Sequence, residues 1–178
     1  MKVIFLDFDG VINNWDVYDG VDVDNVRILK QIIDKTGAKV VATTSNKYSF
    51  QRDSGVDYRK TKYYVVYVQE LNKCGIDIYD VTPYVDGNRD NEIEKYLMMH
   101  PEIEEFVILD DDYFSKKFRE HQVFLDYYNG LLEEHLEPSL DILSGKLGFY
   151  PDYFDHDLTS EEICVRANRY HNSKKKNR

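Results

Sequence analysis

Three polar clusters stand directly behind apolar runs: Asp7-Phe8-Asp9-Gly10-Val11, Thr44-Ser45-Asn46 and Asp110-Asp111-Asp112. The first and third together carry five carboxylates. Gathered on one edge, such groups repel one another unless a cation neutralises them. Oxygen donors with little His or Cys nearby favour Mg²⁺ over zinc. Magnesium takes few carboxylates, keeps waters and binds a substrate phosphate, so phosphoryl transfer is the natural reaction class.

These clusters can meet only if a scaffold brings their preceding runs side by side. Residues 2–7, KVIFLD, read as a buried strand, and residues 39–44, KVVATT, as a second. Between them Val26, Leu29, Ile32 and Ile33 fall on one face of a helix over 23–35, with Asp22 or Asp24 at its start and Gly37 at its end. Residues 45–62 read as a polar loop. Residues 63–74 have strand-like composition, yet Tyr64, Val68 and Leu71 share a helical face before Gly75, and a helix is expected. Further strands are expected at 76–81, 106–109 and 122–127, and helices at 88–100 and 131–143. Apolar strands alternating with helices give an α/β class: a doubly wound, mostly parallel sheet with helices on both faces. Ligands in such sheets bind beyond the carboxyl ends of the strands, where the three clusters lie. Residues 1–143 form the expected catalytic domain. Residues 144–178 form an extension, with a capping box at Thr159 and Glu162 and a basic tail.

Composition narrows the class. The chain has 178 residues, a length that suits one domain. With 42% hydrophobic residues it is not intrinsically disordered, and with no long apolar run no membrane span is expected. Asp7 and Asp9 come too early for a signal peptide, and the two distant cysteines, Cys74 and Cys164, suit reduced thiols in a cytoplasmic protein. A net charge of -10 argues against a protein that coats nucleic acid, though not against a local basic site.

An apolar run followed by Asp7-x-Asp9-Gly10-Val11 resembles the first motif of the haloacid dehalogenase-like (HAD) superfamily. Ser45 is similar to its second motif, and Ile108-Leu109-Asp110-Asp111 to its fourth. Asn91-Glu92-Ile93, Tyr96-Leu97 and His100-Pro101 before the triple Asp resemble a capless branch that includes phosphatase domains linked to RNA repair. The resemblance implies an aspartyl-phosphate on Asp7 and a proton carrier in Asp9. Gly10 would let the chain turn so that Asp9 swings back over the same phosphate. Ser45, with Thr44 as runner-up, would bond a phosphoryl oxygen. Asp7, Asp9 through its carbonyl, Asp110 and Asp111 would hold Mg²⁺. Arg89 and Lys95 are candidates for the basic third motif. Arg89 is preferred because it opens a helix at the active edge, whereas Lys95 lies about 9 Å further along.

No gap between motifs holds a full cap domain, so an open site is expected. Lys47, Arg52, Arg59, Lys60 and Lys62, interleaved with Tyr48, Phe50 and Tyr58, read equally as a polyanion-binding loop or as an ordinary solvated one. Lys47 and Arg52, with Asn46 and Gly10, are the expected substrate contacts. Trp15 reads either as part of a small flap or as packed under the following helix. The leading expectation is a Mg²⁺-dependent phosphatase acting on a phosphorylated substrate such as a polynucleotide or nucleotide. The alternatives are a receiver-like signalling domain, disfavoured by the order of its acidic motifs, and an idle relative that binds nucleic acid or protein.

Overall fold

The computed structural model describes residues 1–17, 20–45, 47 and 64–146. Contacts divide the chain into two compact units, Met1–Gly148 and Phe149–Arg178. The expected extension beyond residue 146, with its Thr159–Glu162 capping box, lies outside the described residues.

Five strands, β1 (Lys2–Leu6), β2 (Lys39–Ala42), β3 (Ile78–Val81), β4 (Glu105–Asp110) and β5 (Gln122–Phe124), form one sheet in the order β3-β2-β1-β4-β5. Every pairing is parallel. The chain runs outward from β1 to β3 and then returns to place β4 beside β1. The change of direction opens a crevice at the carboxyl ends of those two strands. Strand periodicity explains why both are apolar between their polar ends: Ile4 and Leu6 enter one core while Val3 and Phe5 enter the other.

Helices α1 (Val23–Thr36), α2 (Gln69–Lys73), α3 (Arg89–Met99) and α4 (Leu136–Leu143) cover the sheet. Asp22 caps α1 by accepting from the amides of Asp24 and Asn25, and Gly37 closes it with a bond from its amide to Ile33. Val26, Leu29 and Ile32 of α1 share the core of Ile4 and Leu6 with Leu71, Leu136 and Ile142. On the other face Ile93 and Tyr96 of α3 pack with Val3, Phe5 and Ile108. The doubly wound expectation is thus met, with no large cap among the described residues. None of the described helices is long and apolar enough to cross a membrane.

Element edges differ from the expectation where local chemistry intervenes. Of the segment expected over 63–74, Tyr64–Lys73 is helical, but its Tyr-Val-Val-Tyr-Val stretch (Tyr64–Val68) takes a π-helical turn before α2. That turn brings Tyr67, Val68 and Leu71 into one core. The helix expected over 131–143 starts only at Leu136. Before it, the His135 ring accepts from the Leu132 amide and a 3₁₀ turn spans Glu133–His135. The strand expected over 122–127 ends at Phe124, and a turn closed by an Asp126–Gly130 bridge follows.

Candidate active site

Asp7 is the first residue beyond β1, and its amide still donates to the carbonyl of Leu109 on β4 at 3.0 Å. The Asp7 carboxylate is therefore fixed by the sheet. Its Oδ1 accepts from the Phe8 amide at 2.8 Å. Phe8, Val11 and Ile12 are buried, which folds the loop back under itself and leaves Asp9 and Gly10 on the rim of the crevice. Gly10 has φ +71, and a Cβ there would lie 2.7 Å from the Asp111 carboxyl carbon and 3.0 Å from the Tyr127 ring. The left-handed backbone and the close approach of Asp111 both require glycine. Gly10 thus makes room for a carboxylate, a more specific role than the substrate contact expected of it. Asp9 is held through Oδ1 by the Tyr67 hydroxyl at 2.6 Å and the Asn13 amide at 2.9 Å.

At the end of the adjacent strand, Asp110 is wholly buried and Asp111 half-buried. Asp7, Asp110 and Asp111 each offer an oxygen, and the three lie within 4.8 Å of one another. Burial raises the pKa of Asp7 even though Arg89 opposes the rise. Burial, then the Asp7 charge, raises Asp110 well above the carboxylate range. Burial, then the same Asp7 charge, pushes Asp111 up to about 7. All three acids are short of positive charge. The hard, oxygen-only donor set fits Mg²⁺ or a similar hard divalent ion.

One described cation reaches the cluster. Arg89, at the start of α3, donates from Nη1 to Asp7 Oδ2 at 2.8 Å and to Asp110 Oδ2 at 2.6 Å, and from Nη2 to Ser45 Oγ at 3.1 Å. Burial works against its charge, but Asp7 and Asp110 outweigh that and raise its pKa. Burial is the largest cause of the rise in each acid, and a single guanidinium does not offset it, while the acids together raise Arg89. Lys95 lies exposed, further along α3. Ser45 is exposed and touches Arg89, whereas Thr44 is buried. Asp112 is 3.8 Å from Arg89, but its side chain is largely in solvent.

Lys47 is a correction. It is not a cation exposed to a polyanion: its side chain is buried, ion-paired with Glu92 on α3 and 3.3 Å from the Thr82 hydroxyl. Burial lowers its pKa, with Glu92 opposing. A lysine one residue past an uncertain loop start looked solvated, and its partner lies 45 residues away. Asn46 and Arg52 lie outside the described residues. Sequence reasoning also missed Asn13 and Tyr67 beside Asp9. Asn13 directly follows the first motif, but no local signal marks Tyr67, which arrives from the helical segment before α2. Trp15 does not pack under α1: it is 60% exposed.

Comparison with known proteins gives one assignment. Neither the curated proteins nor the solved structures give a significant match. Residues 3–136, well over half the chain, match the family described as the HAD domain in Swiss Army Knife RNA repair proteins. With a parallel α/β sheet and an acidic cluster at the ends of its two central strands, the chain belongs to that family of HAD-type hydrolase and phosphatase domains.

Proposed function

We propose that this domain is a Mg²⁺-dependent phosphomonoesterase that works through an aspartyl-phosphate on Asp7, with a polynucleotide end or nucleotide as substrate. The observation that carries the reading is the meeting of Asp7, Asp110 and Asp111 oxygens within 4.8 Å, at the ends of adjacent strands. Asp7, Asp110, Asp111 and the Asp9 carbonyl are the residues to hold Mg²⁺. The ion would supply charge neutralisation to the carboxylates and to the phosphoryl group.

The residues divide the work as follows. The Asp7 carboxylate, held by the Phe8 amide, attacks phosphorus, and the bond from phosphorus to the leaving oxygen breaks. Asp9 gives that oxygen a proton. It then takes one from the water that attacks the aspartyl-phosphate, releasing inorganic phosphate and restoring Asp7. Tyr67 and Asn13 both bind Oδ1 of Asp9, which orients Oδ2 for this transfer. Arg89 and Ser45, already in contact, offer donors to the phosphoryl oxygens. A free, exposed Cys74 suits the reducing cytoplasm.

The test is phosphate release with Mg²⁺ from 3′- and 5′-phosphorylated oligonucleotides, mononucleotides and sugar phosphates. Wild-type protein is expected to turn over at least one, and Asp7→Asn to lose that activity while keeping its circular dichroism spectrum. Undiminished turnover in Asp7→Asn refutes the assignment. Stable acyl-phosphate labelling without turnover would point instead to a phosphoacceptor.

A further inference from the structure

Two tight turns stand on the rim of the crevice. In the first, the Asn14 side chain accepts from the amides of Asp16 and Val17 and donates to Asp22, so the backbone at Trp15 is firmly held. In the second, Asp126 accepts from the Tyr128 amide, and the Gly130 amide returns to its carbonyl. The turns are joined by a bond from the Trp15 amide to the Tyr128 carbonyl at 3.4 Å. Three rings meet there: Trp15 and Tyr128 at 5.4 Å, Trp15 and Tyr127 at 6.4 Å, and Tyr127 and Tyr128 at 5.9 Å.

This cluster adjoins the proposed chemistry. The Tyr127 ring and the Asp111 carboxyl both border the same point above Gly10. Trp15 and Tyr128 are 60% and 41% exposed, although aromatic rings of this size are usually covered. The rings are inclined to one another, 42° between Trp15 and Tyr128 and 68° between Trp15 and the half-buried Tyr127, so the two tyrosines brace Trp15 and Trp15 offers the exposed ring; such a ring beside a phosphate-processing edge can grip a flat π-system without needing positive charge. The family's link to RNA repair supplies the matching ligand chemistry.

We infer that Trp15, with Tyr127 and Tyr128, forms a stacking platform for the nucleobase of the nucleotide whose phosphate reaches Asp7. The inference rests on the phosphatase reading and adds the residues that recognise the base of its nucleotide substrate. A base on the platform selects nucleotides over base-free phosphates.

Trp15 is the one tryptophan of the chain, so fluorescence excited beyond the tyrosine absorption band reports on it alone. With Asp7→Asn protein and Mg²⁺, nucleoside monophosphates and short phosphorylated oligoribonucleotides are expected to quench it saturably. Ribose 5-phosphate at the same concentrations should not. In otherwise wild-type protein, Trp15→Ala should lower the ratio of kcat/KM for nucleotide to that for ribose 5-phosphate on the order of tenfold, and Trp15→Phe should restore most of it. Turnover of nucleotides with no fluorescence response and an unchanged ratio in Trp15→Ala overturns the platform and leaves the phosphatase reading intact. Equal losses on both substrates, or stronger quenching by a phosphotyrosine peptide, also overturn it. Quenching by nucleotides with no phosphate release from any substrate supports the platform and overturns the phosphatase reading instead.

Discussion

Replacing Lys47 by Met should destabilise the fold severely, for reasons that lie in one ion pair. Lys47 and Glu92 have side-chain exposures of 2% and 3%, so neither charge has water to fall back on. Met keeps much of the length and volume of the lysine stem and removes the charge. Glu92 keeps only the Val85 amide, 3.3 Å from its Oε1. Breaking a buried pair from one side costs about 3–5 kcal/mol. For a chain of this size the Tm should fall by roughly 6–20 °C. The assay is denaturant unfolding followed by far-UV circular dichroism. The double variant Lys47→Met with Glu92→Gln should recover all but about 1 kcal/mol, since the carboxamide keeps an acceptor for Val85 and no charge is left alone. A single-variant cost under about 1 kcal/mol at pH 7, or a double variant as unstable as the single, refutes the argument. The pair also ties the first turn of α3 to the residues after β2, so the same variants report on whether it positions Arg89.

Two further outcomes follow from the site's surroundings. Gly130 and Gly37 have nearly the same φ, +66 and +67, but a Cβ at Gly130 would lie 1.8 Å from Asn25 Nδ2 while one at Gly37 meets nothing within 4 Å. Gly130→Ala should therefore cost about 1–3 kcal/mol more than Gly37→Ala in the same unfolding assay, and equal costs would contradict the packing. In EDTA, the raised pKa of Asp111, about 7, means that the folded state holds a proton the unfolded chain has already lost between about pH 4 and 7. Metal-free stability should thus decline as pH rises through that window and level off above it, with Asp111→Asn flattening the slope. Added Mg²⁺ should raise Tm far more at pH 8 than at pH 5, and no Mg²⁺ effect at pH 8 would count against the metal site.

The sheet was legible because its strands are short, apolar and followed at once by polar residues. KVIFL and FVILD admit few other readings; the first is followed by Asp7 and the second ends on Asp110, acids that the parallel pairing must bring to one edge. Arg89 was legible from its place at a helix start. The partners of Asp9 were not, because Tyr67 comes from a segment 58 residues away whose composition suits a strand as well as a helix. Lys47 was misjudged for the same reason. A lysine's burial depends on a distant carboxylate, and neither its own type nor its neighbours encode that partner. Trp15 was missed in the opposite sense: large aromatics are usually buried, and only the Asn14 turn and the Tyr127–Tyr128 turn together hold it at the surface.

The net charge of -10 therefore says little about the site, where the local balance decides. Three acids share one guanidinium, and the directions of their shifts agree on what is lacking: burial and mutual repulsion raise the pKa of Asp7, Asp110 and Asp111 despite Arg89, while the acids raise that of Arg89. Such a cluster gains from any added positive charge. A proton satisfies one acid at a time, whereas a divalent cation meets several at once. A bound phosphate adds negative charge and so raises the demand further. Substrate and cation should accordingly bind with positive linkage, each improving the affinity of the other by the same factor.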